Sequence, residues 1–261
     1  MKNFTTLILI FAFCAVSAFA QKKADDDTDK SEAIIAKAIA KLGGDLYKNV
    51  KSLSSSGKLS ILKEQKIASF QSFVDVILYP DKERTDFSER GTKTIQVNKG
   101  ETGWIYDELF DKFGPQTEKQ IENFKQGLQT HYDFLLRRRW KGKAELTHAG
   151  RRRASLGKRN DVLRLEFEND FWIEYEFSDE GLPMKTVYPI QTKEGAIINE
   201  ESRYAQYIFT DGILFPYIID HFVYGKRTYR VNYVNVRLNK RVNESIFTKP
   251  ANPKKIKKLK L

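Results

Sequence analysis

The chain has 261 residues, of which 41% are hydrophobic and 30% are charged, and its formal net charge at pH 7 is +11. A hydrophobic content of this size is normal for a protein that packs a core, and beyond the N-terminus no apolar run reaches the roughly 20 residues of a membrane-spanning helix. The single cysteine, Cys14, excludes an internal disulfide.

The first residues have the three parts of a secretion signal. Lys2 supplies a positive charge, Leu7 to Val16 form a short apolar run, and Ala18-Phe19-Ala20 is a small-residue exit. The run is too short to cross a bilayer, which argues against the alternative of a membrane-anchor helix. We expect residues 1–20 to be a signal peptide that is cleaved after Ala20, so that the protein works outside the cytoplasm without thiol chemistry.

The positive charge has a different meaning in an exported protein. Inside the cytoplasm it would suggest a nucleic-acid partner. Outside it, the acidic partners are anionic lipid headgroups and cell-surface polymers, and a solvated basic surface accounts for the charge equally well. We therefore expect no nucleic-acid partner.

A polar leader and a helix are predicted next. Residues 21–30 carry blocks of opposite charge and are predicted to be flexible. Ser31 begins a helix that ends at Gly43-Gly44. Its apolar face consists of Ile34, Ile35, Ala38, Ile39 and Leu42.

Strands and a second helix follow. The alternating stretch from Leu53 to Ile61 and the β-branched, aromatic stretch from Phe70 to Tyr79 predict strands. Thr117 and Gln120 then fit a capping box, which begins a helix that ends at the arginines of residues 137–139. The apolar face of this helix consists of Ile121, Phe124, Leu128, Tyr132 and Leu135.

The remainder of the chain is predicted to be almost entirely strand. A three-residue loop at Glu168-Asn169-Asp170 pairs Leu165 with Ile173 and Arg164 with Glu174, which separates an apolar face from a charged one. A turn at Asp211-Gly212 makes a second hairpin, in which Arg203 faces Asp220. Hairpins without βαβ alternation predict an antiparallel sheet with helices on one face.

The sequence contains no recognisable catalytic or metal-binding constellation. The three histidines, His131, His148 and His221, lack the spacing of metal ligands, and there is no nucleophile elbow or phosphate-binding loop. Acid pairs such as Glu166/Glu168 and Glu174/Glu176 are interpreted as surface charges of a sheet. We expect no metal, no cofactor and no enzymatic activity.

Two basic segments are candidates for binding anions or lipid headgroups. The first candidate consists of two arginine clusters. Arg137, Arg138 and Arg139 form the first cluster, and Arg151, Arg152 and Arg153 form the second. The preference of helix ends for cations already accounts for the first cluster. The second candidate is the basic tail of residues 251–261, which has five lysines. We predict that it is flexible and solvated, with contact to an anionic membrane as the alternative.

Aromatic residues make up 13% of the chain, and several strands are apolar on both faces. Phe70–Tyr79 and Tyr207–Tyr224 are examples. A sheet with two apolar faces needs cover on both sides, or it encloses an apolar cavity. A thick ordinary core and a cavity are equally compatible with this pattern.

Several short motifs in a fixed order resemble exported proteins of the LolA-like outer-membrane lipoprotein-sorting superfamily. They are Ala36-Lys37-Ala38-Ile39-Ala40-Lys41-Leu42-Gly43-Gly44, Val50-Lys51-Ser52-Leu53 with Gly57, Gly103-Trp104-Ile105-Tyr106, Asp211-Gly212-Ile213-Leu214-Phe215-Pro216, Asn243-Glu244-Ser245-Ile246-Phe247 and Lys249-Pro250. The resemblance covers most of residues 31–250. It implies one mainly β domain with helices (α+β), a strongly curved antiparallel half-barrel that leaves the barrel unclosed and has helices over its concave face.

The resemblance also implies a function. In that superfamily the cavity between sheet and helices takes acyl chains of lipoproteins or other lipids without catalysis, so we expect a monomeric, periplasmic binding protein; an extracellular location is the alternative. The helix face of Ile121, Phe124, Leu128, Tyr132 and Leu135 would form the lid. Strand parity suggests a sheet-side lining of Trp104, Tyr106, Phe167, Ile173 and Tyr175.

Two other functions remain open. A protein-interaction or envelope-sensor module on the same fold would bind a partner through its sheet edge or basic surface, without lipid cargo. A hydrolase of envelope glycans would need a carboxylate pair in an apolar pocket.

Overall fold

The computed structural model describes residues 27–154 and 157–259. The predicted signal peptide and residues 21–26 of the predicted leader lie outside the described residues. The first helix, α1, comprises residues 27–42 and buries Ile35, Ala38 and Leu42 completely.

Thirteen strands form one antiparallel sheet, in the order β6-β5-β4-β3-β2-β1-β13-β12-β11-β10-β9-β8-β7. The strands are β1 Ser52–Lys63, β2 Lys66–Leu78, β3 Lys82–Glu89, β4 Thr92–Lys99, β5 Thr102–Asp107, β6 Lys112–Pro115, β7 Ala144–Arg153, β8 Arg159–Phe167, β9 Trp172–Phe177, β10 Pro183–Gln191, β11 Ile197–Thr210, β12 Ile213–Val223 and β13 Lys226–Leu238. The remaining elements are helices α2 Asp45–Lys48, α3 Glu118–Thr130 and α4 Tyr132–Leu136 and the 3-10 helices Glu244–Phe247 and Pro253–Lys255.

Two meanders make up this sheet and meet where β1 pairs with β13. Strands β1 to β6 run outward on one side, and β7 to β13 run back on the other. Helices α3 and α4 carry the chain from edge strand β6 to edge strand β7. The predicted fold class is confirmed: the sheet is a half-barrel that does not close, with few helices.

Each face of the sheet carries its own hydrophobic cluster. Along β2, Ile77 packs into the cluster that includes α1, α2 and α4. Its neighbours Val76 and Leu78 belong to a second cluster, with Phe247 from the first 3-10 helix. Because successive side chains of a strand point to opposite faces, the helices and the C-terminal segment cover opposite sides of the sheet.

The second cluster is covered by residues that the sequence predicts to be a solvated tail. Ile256 and Leu259 pack against it. The guanidinium of Arg84, which is 1% exposed, donates to the carbonyl of Lys257 at 2.7 Å and to that of Ile246 at 3.3 Å. Residues 251–259 therefore lie against the sheet instead of extending into solvent, since their isoleucine and leucine bury apolar surface between the lysines.

Both predicted hairpin registers are confirmed. Arg164 pairs with Glu174, and Leu165 pairs with Ile173, across the three-residue loop. Arg203 pairs with Asp220 on the second hairpin.

The second predicted helix is two helices. Its capping box is present, because Thr117 and Gln120 exchange hydrogen bonds. The helix ends at Thr130, however, because His131 has an extended backbone (φ −71°, ψ 145°). The imidazole of His131 accepts a hydrogen bond from the backbone N–H of Asp133 at 3.3 Å and so caps α4. The break turns α4 into the core, whereas α3 stays half-exposed.

A partly buried arginine fastens α4 and α2 to the sheet. The guanidinium of Arg137 lies 5.0 Å from the ring centroid of Tyr47 and 4.6 Å from that of Tyr79. It donates to the carbonyls of Tyr47, Lys48 and Val50 at 3.1–3.2 Å. Its Nε lies 3.5 Å from the carboxylate of Asp133, which accepts a hydrogen bond from the Tyr47 hydroxyl. The guanidinium of Arg137 thus supplies hydrogen-bond donors to the backbone carbonyls at the junction of α2 and β1.

We expect Arg137→Ala to lower the free energy of unfolding by about 3–5 kcal/mol, because Asp133 would remain as a buried, unpaired charge. Urea denaturation monitored by circular dichroism measures the loss. The control is Arg138→Ala, which removes a half-exposed ion pair with Glu32 and should cost less than about 1 kcal/mol. Equal losses for the two variants would contradict the assigned role of Arg137.

Candidate functional site

An apolar cavity of about 480 Å³ lies on the side of the sheet that carries the helices. Its size is within the range of about 300–1,000 Å³ that is typical of small-molecule sites. Strands β1, β2, β3 and β13 supply its lining. The lining residues are Leu59, Ile61, Leu62, Phe73, Asp75, Glu83, Thr85, Phe87, Thr228, Tyr229, Val231 and Tyr233.

A glycine makes room for the floor of this cavity. Gly57 lies between Phe73 on β2 and Tyr233 on β13. A Cβ atom at Gly57 would lie 2.3 Å from the carbonyl oxygen of Asn232 and 2.7 Å from the ring of Phe73. Without a side chain there, the rings of Phe73 and Tyr233 meet edge to face, with centroids 5.7 Å apart.

A second cavity of about 480 Å³ adjoins the first. Phe87 contributes to the lining of both. The other lining residues of the second cavity are Gln71, Glu89, Arg90, Thr92, Thr94, Asp107, Leu109 and Phe110. The two cavities form one groove, which we call the concave groove; it runs from β13 to the turn between β5 and β6.

Two carboxyl groups lie in the first cavity and have no cationic partner in its lining. Asp75 is 5% exposed and accepts a hydrogen bond from the Thr85 hydroxyl at 2.9 Å. Burial raises the pKa of Asp75 well above its ordinary range, and the charge of Glu83 adds to this rise. Burial also raises the pKa of Glu83 to about 7. The pair therefore retains a proton near neutral pH, which keeps the cavity less charged than its residue types suggest.

Five of the predicted lining residues lie in the closed core under the helices. Leu135, Ile173 and Tyr175 are 0% exposed. Tyr132 and Phe167 belong to the same cluster. These five are brought together, but none of them lines the concave groove.

The structure places Trp104 and Tyr106 on the opposite face of the sheet, in the second cluster. The indole of Trp104 donates to the carbonyl of Phe247 at 3.1 Å. Trp104 pairs with Val97, whereas Ile105 pairs with Gln96. The predicted parity of β5 therefore differs from the observed parity by one residue, which moves both aromatic side chains to the other face.

The remaining three predicted residues lie on α3. Ile121, Phe124 and Leu128 are partly buried but belong to neither hydrophobic cluster. Helix α3 is fastened along its length: Lys125 pairs with Glu101 at 2.7 Å, and the carbonyl of Gln129 accepts from Tyr175. The apolar face of α3 is thus only partly covered.

The arginines of residues 137–139 are occupied by the protein's own groups. Arg137 is the partly buried residue that fastens α4 to the sheet. Arg138 forms two hydrogen bonds with the carboxylate of Glu32. Arg139 donates to the carbonyl of Pro80 at 3.2 Å.

The second arginine cluster is largely paired as well. Arg151 pairs with Asp179 and lies 3.7 Å from Asp161. Arg152 lies 2.6 Å from Glu174 and 3.6 Å from Glu176. The side chain of Arg153 is exposed and forms no hydrogen bond or ion pair with the other described residues. An external anion would therefore have to compete with internal carboxylates for most of the six arginines.

Two of the three histidines also have polar partners. His148 lies 3.1 Å from Asp161, and His221 lies 2.9 Å from the hydroxyl of Thr228 and 3.3 Å from Glu200. Within residues 27–154 and 157–259, no group of histidines and acids could hold a metal ion. None of the helices in that part of the chain is long and apolar enough to cross a membrane.

Solved structures show what the fold is similar to. A DUF1329 family protein from Desulfovibrio piger is 12% identical with a TM-score of 0.56, over 83% of this chain and 96% of that one. A LolA superfamily protein from Nitrosomonas europaea is 15% identical with a TM-score of 0.56, over 84% and 97%. A domain named for outer-membrane lipoprotein sorting, from Vibrio parahaemolyticus, is 13% identical with a TM-score of 0.52, over 76% and 89%.

No protein-family model and no curated protein sequence matches the chain. The structural similarity at these low identities concerns the fold alone. The protein has a LolA-like fold, and the resemblance predicted from the short motifs is confirmed at this level.

We expect Gly57→Ala to lower the free energy of unfolding by roughly 1–3 kcal/mol, because the added methyl group must displace Phe73 or the backbone of β13. Urea denaturation checks the loss. Gly114→Ala is the control, since a Cβ at Gly114 meets nothing within 4 Å. If both variants are as stable as the wild type, Gly57 does not determine the floor of the cavity.

The raised pKa of Glu83 predicts how stability depends on pH. Because this pKa rises from 4.5 to about 7 on folding, the folded protein binds more protons than the unfolded one in this window, and stability falls as pH increases. Glu83→Gln should reduce the fall, part of which remains because the pKa of Asp75 is also raised by burial, and it should be more stable than the wild type at pH 8 by roughly 1–3 kcal/mol, with little difference at pH 4.5.

Thermal unfolding between pH 4.5 and pH 8.5 tests this expectation. Glu89→Gln on the same strand is the control, because hydrogen bonds from Gln71 and Ser69 lower the pKa of Glu89. Glu89→Gln should therefore be no more stable than the wild type at pH 8. If the stability of Glu83→Gln and that of the wild type change in parallel with pH, ionisation of Glu83 does not lower the stability of the folded protein.

Proposed function

We propose that the protein is an exported, non-catalytic carrier that holds an acyl chain in the concave groove. The observation that carries the proposal is the pair of adjoining cavities, each of about 480 Å³, in a LolA-like half-barrel. The proposal differs from the sequence-based expectation in its site: the chain lies along β1, β2, β3 and β13 and not against Phe167, Ile173 and Tyr175.

The chemistry of the first cavity favours an apolar ligand. Its walls are mainly aliphatic and aromatic, and no lysine or arginine lines it. The two acids retain a proton near pH 7, which limits the cost of placing a hydrocarbon beside them. Each buried methylene contributes about 0.8 kcal/mol, so a chain that fills the groove would be held firmly without specific hydrogen bonds.

An apolar cover is available on α3. Its half-buried apolar face of Ile121, Phe124 and Leu128 belongs to neither hydrophobic cluster, so these side chains are available to contact a ligand while Lys125 and Gln129 hold the helix to Glu101 and Tyr175. We propose that this face closes over a bound acyl chain, as a lid.

We also propose a periplasmic location. The N-terminal charge, apolar run and Ala18-Phe19-Ala20 pattern support export. The domain from Vibrio parahaemolyticus, which shares the fold, is named for the sorting of lipoproteins to the outer membrane. Lipoprotein acyl chains are accordingly the cargo that we place first, ahead of free lipids.

A second candidate function is binding of a protein partner. Among the strands of residues 27–154 and 157–259, edge strand β7, Ala144–Arg153, pairs only with β8, so its outer edge could accept a strand from another protein. Such a protein would work as an envelope sensor without lipid cargo. It would yield no lipid on extraction.

Mass spectrometry of organic extracts from the protein purified from its native host tests the carrier function directly. In vitro, Phe87→Arg should weaken binding of a fluorescent fatty acid at least tenfold, because the charge would lie where the two cavities meet. Phe209→Arg is the matched control: Phe209 is 70% exposed and does not line the groove. Absence of lipid from the extract, together with unchanged binding by Phe87→Arg, would overturn the proposal.

A further inference from the structure

Exposed apolar side chains are concentrated at one end of the strands. Four turns lie side by side there, between β1 and β2, β3 and β4, β5 and β6, and β12 and β13. Direct contacts join neighbouring turns: Glu108 and Lys93 exchange hydrogen bonds, and Glu89 accepts hydrogen bonds from Ser69 and Gln71. We call these four turns the turn rim.

Large apolar side chains point out from the turn rim into solvent. Ile67 is 64% exposed, Leu109 70%, Phe110 77% and Tyr224 75%. Burial in the core requires none of them, and none belongs to either hydrophobic cluster. Exposed apolar side chains on adjacent turns are candidates for an interaction surface.

The charges around these side chains identify the partner. Exposed cations on the turn rim are Lys63, Lys66, Arg90, Lys93, Lys112 and Lys226. Exposed acids there are Glu64, Glu108 and Asp111. Glu108 is already bound to the backbone N–H of Lys93. Leucine, phenylalanine and tyrosine beside lysines are the composition that lies in the interface of an anionic bilayer.

The position of the turn rim connects it with the concave groove. Leu109, Phe110 and Arg90 belong to the rim and also line the second cavity. We propose that the turn rim docks on anionic lipid bilayers, with Leu109 and Phe110 entering the interfacial layer, so that the concave groove opens toward the membrane. This goes beyond the proposed function, because docking can be measured whether or not the groove holds an acyl chain.

Cosedimentation with vesicles of equal parts phosphatidylglycerol and phosphatidylcholine tests the docking. The wild type should bind these vesicles at low salt and bind pure phosphatidylcholine at least tenfold more weakly, and high salt should weaken the anionic binding. The double variant Leu109→Asp/Phe110→Asp should lose at least tenfold in affinity. Leu46→Asp is the control, because Leu46 is 60% exposed and lies near Gly212, in a turn at the other end of the strands.

Further variants separate docking through the turn rim from acyl-chain carriage and from binding by the C-terminal segment. Phe87→Arg should keep vesicle binding although it loses fatty-acid binding, so that failure of docking and failure of carriage are distinct results. If the double variant does not fold, Arg90→Glu/Lys112→Glu provides the second test. The inference is overturned if the wild type binds no vesicles, if Leu46→Asp weakens binding equally, or if Lys254→Ala/Lys255→Ala in the C-terminal segment abolishes binding while the rim variants do not.

Discussion

The dominant physical constraint in this protein is a sheet with two apolar faces, each of which needs its own cover. Strand β2 shows the constraint within three residues, because Val76 and Leu78 enter one cluster and Ile77 enters the other. Helices cover the first face, and the chain after β13 must return across the second. Arg84 secures that return through the carbonyls of Ile246 and Lys257. Its two hydrogen bonds to the carboxylate of Asp86 balance its charge, which allows so long a cation to be almost completely buried.

The placement of the helices determines where the groove opens. Gly43, at the end of α1, approaches the turn at Gly212 so closely that a Cβ would lie 2.9 Å from its carbonyl oxygen. The helices therefore pack at that end of the strands, where Leu53 and Leu238 join the core. Toward the other end of β1, Leu59 and Ile61 line the open cavity. The concave groove is the part of an apolar sheet face that the helices leave uncovered.

Local patterns predicted the pairing of strands but not the cover over them. The loop at residues 168–170 and the capping box at Thr117 depend on neighbours in the chain, and both are confirmed. The placement of Trp104 depends on a segment more than a hundred residues away, Phe247, which no local pattern connects with it. Asp75 and Glu83 were also missed, since they lie on adjacent strands; an acid within the apolar run of residues 73–78 was the available signal.

Two acid pairs of this sheet show that environment, not residue type, decides their chemistry. Glu174 and Glu176 are both buried, yet Arg152 and Lys185 lie within 2.6–2.8 Å of them and can neutralise their charge. Asp75 and Glu83 face an apolar cavity without a cation, so the less costly state is protonation. A protonated pair would lower stability whenever a rise in pH forces its ionisation.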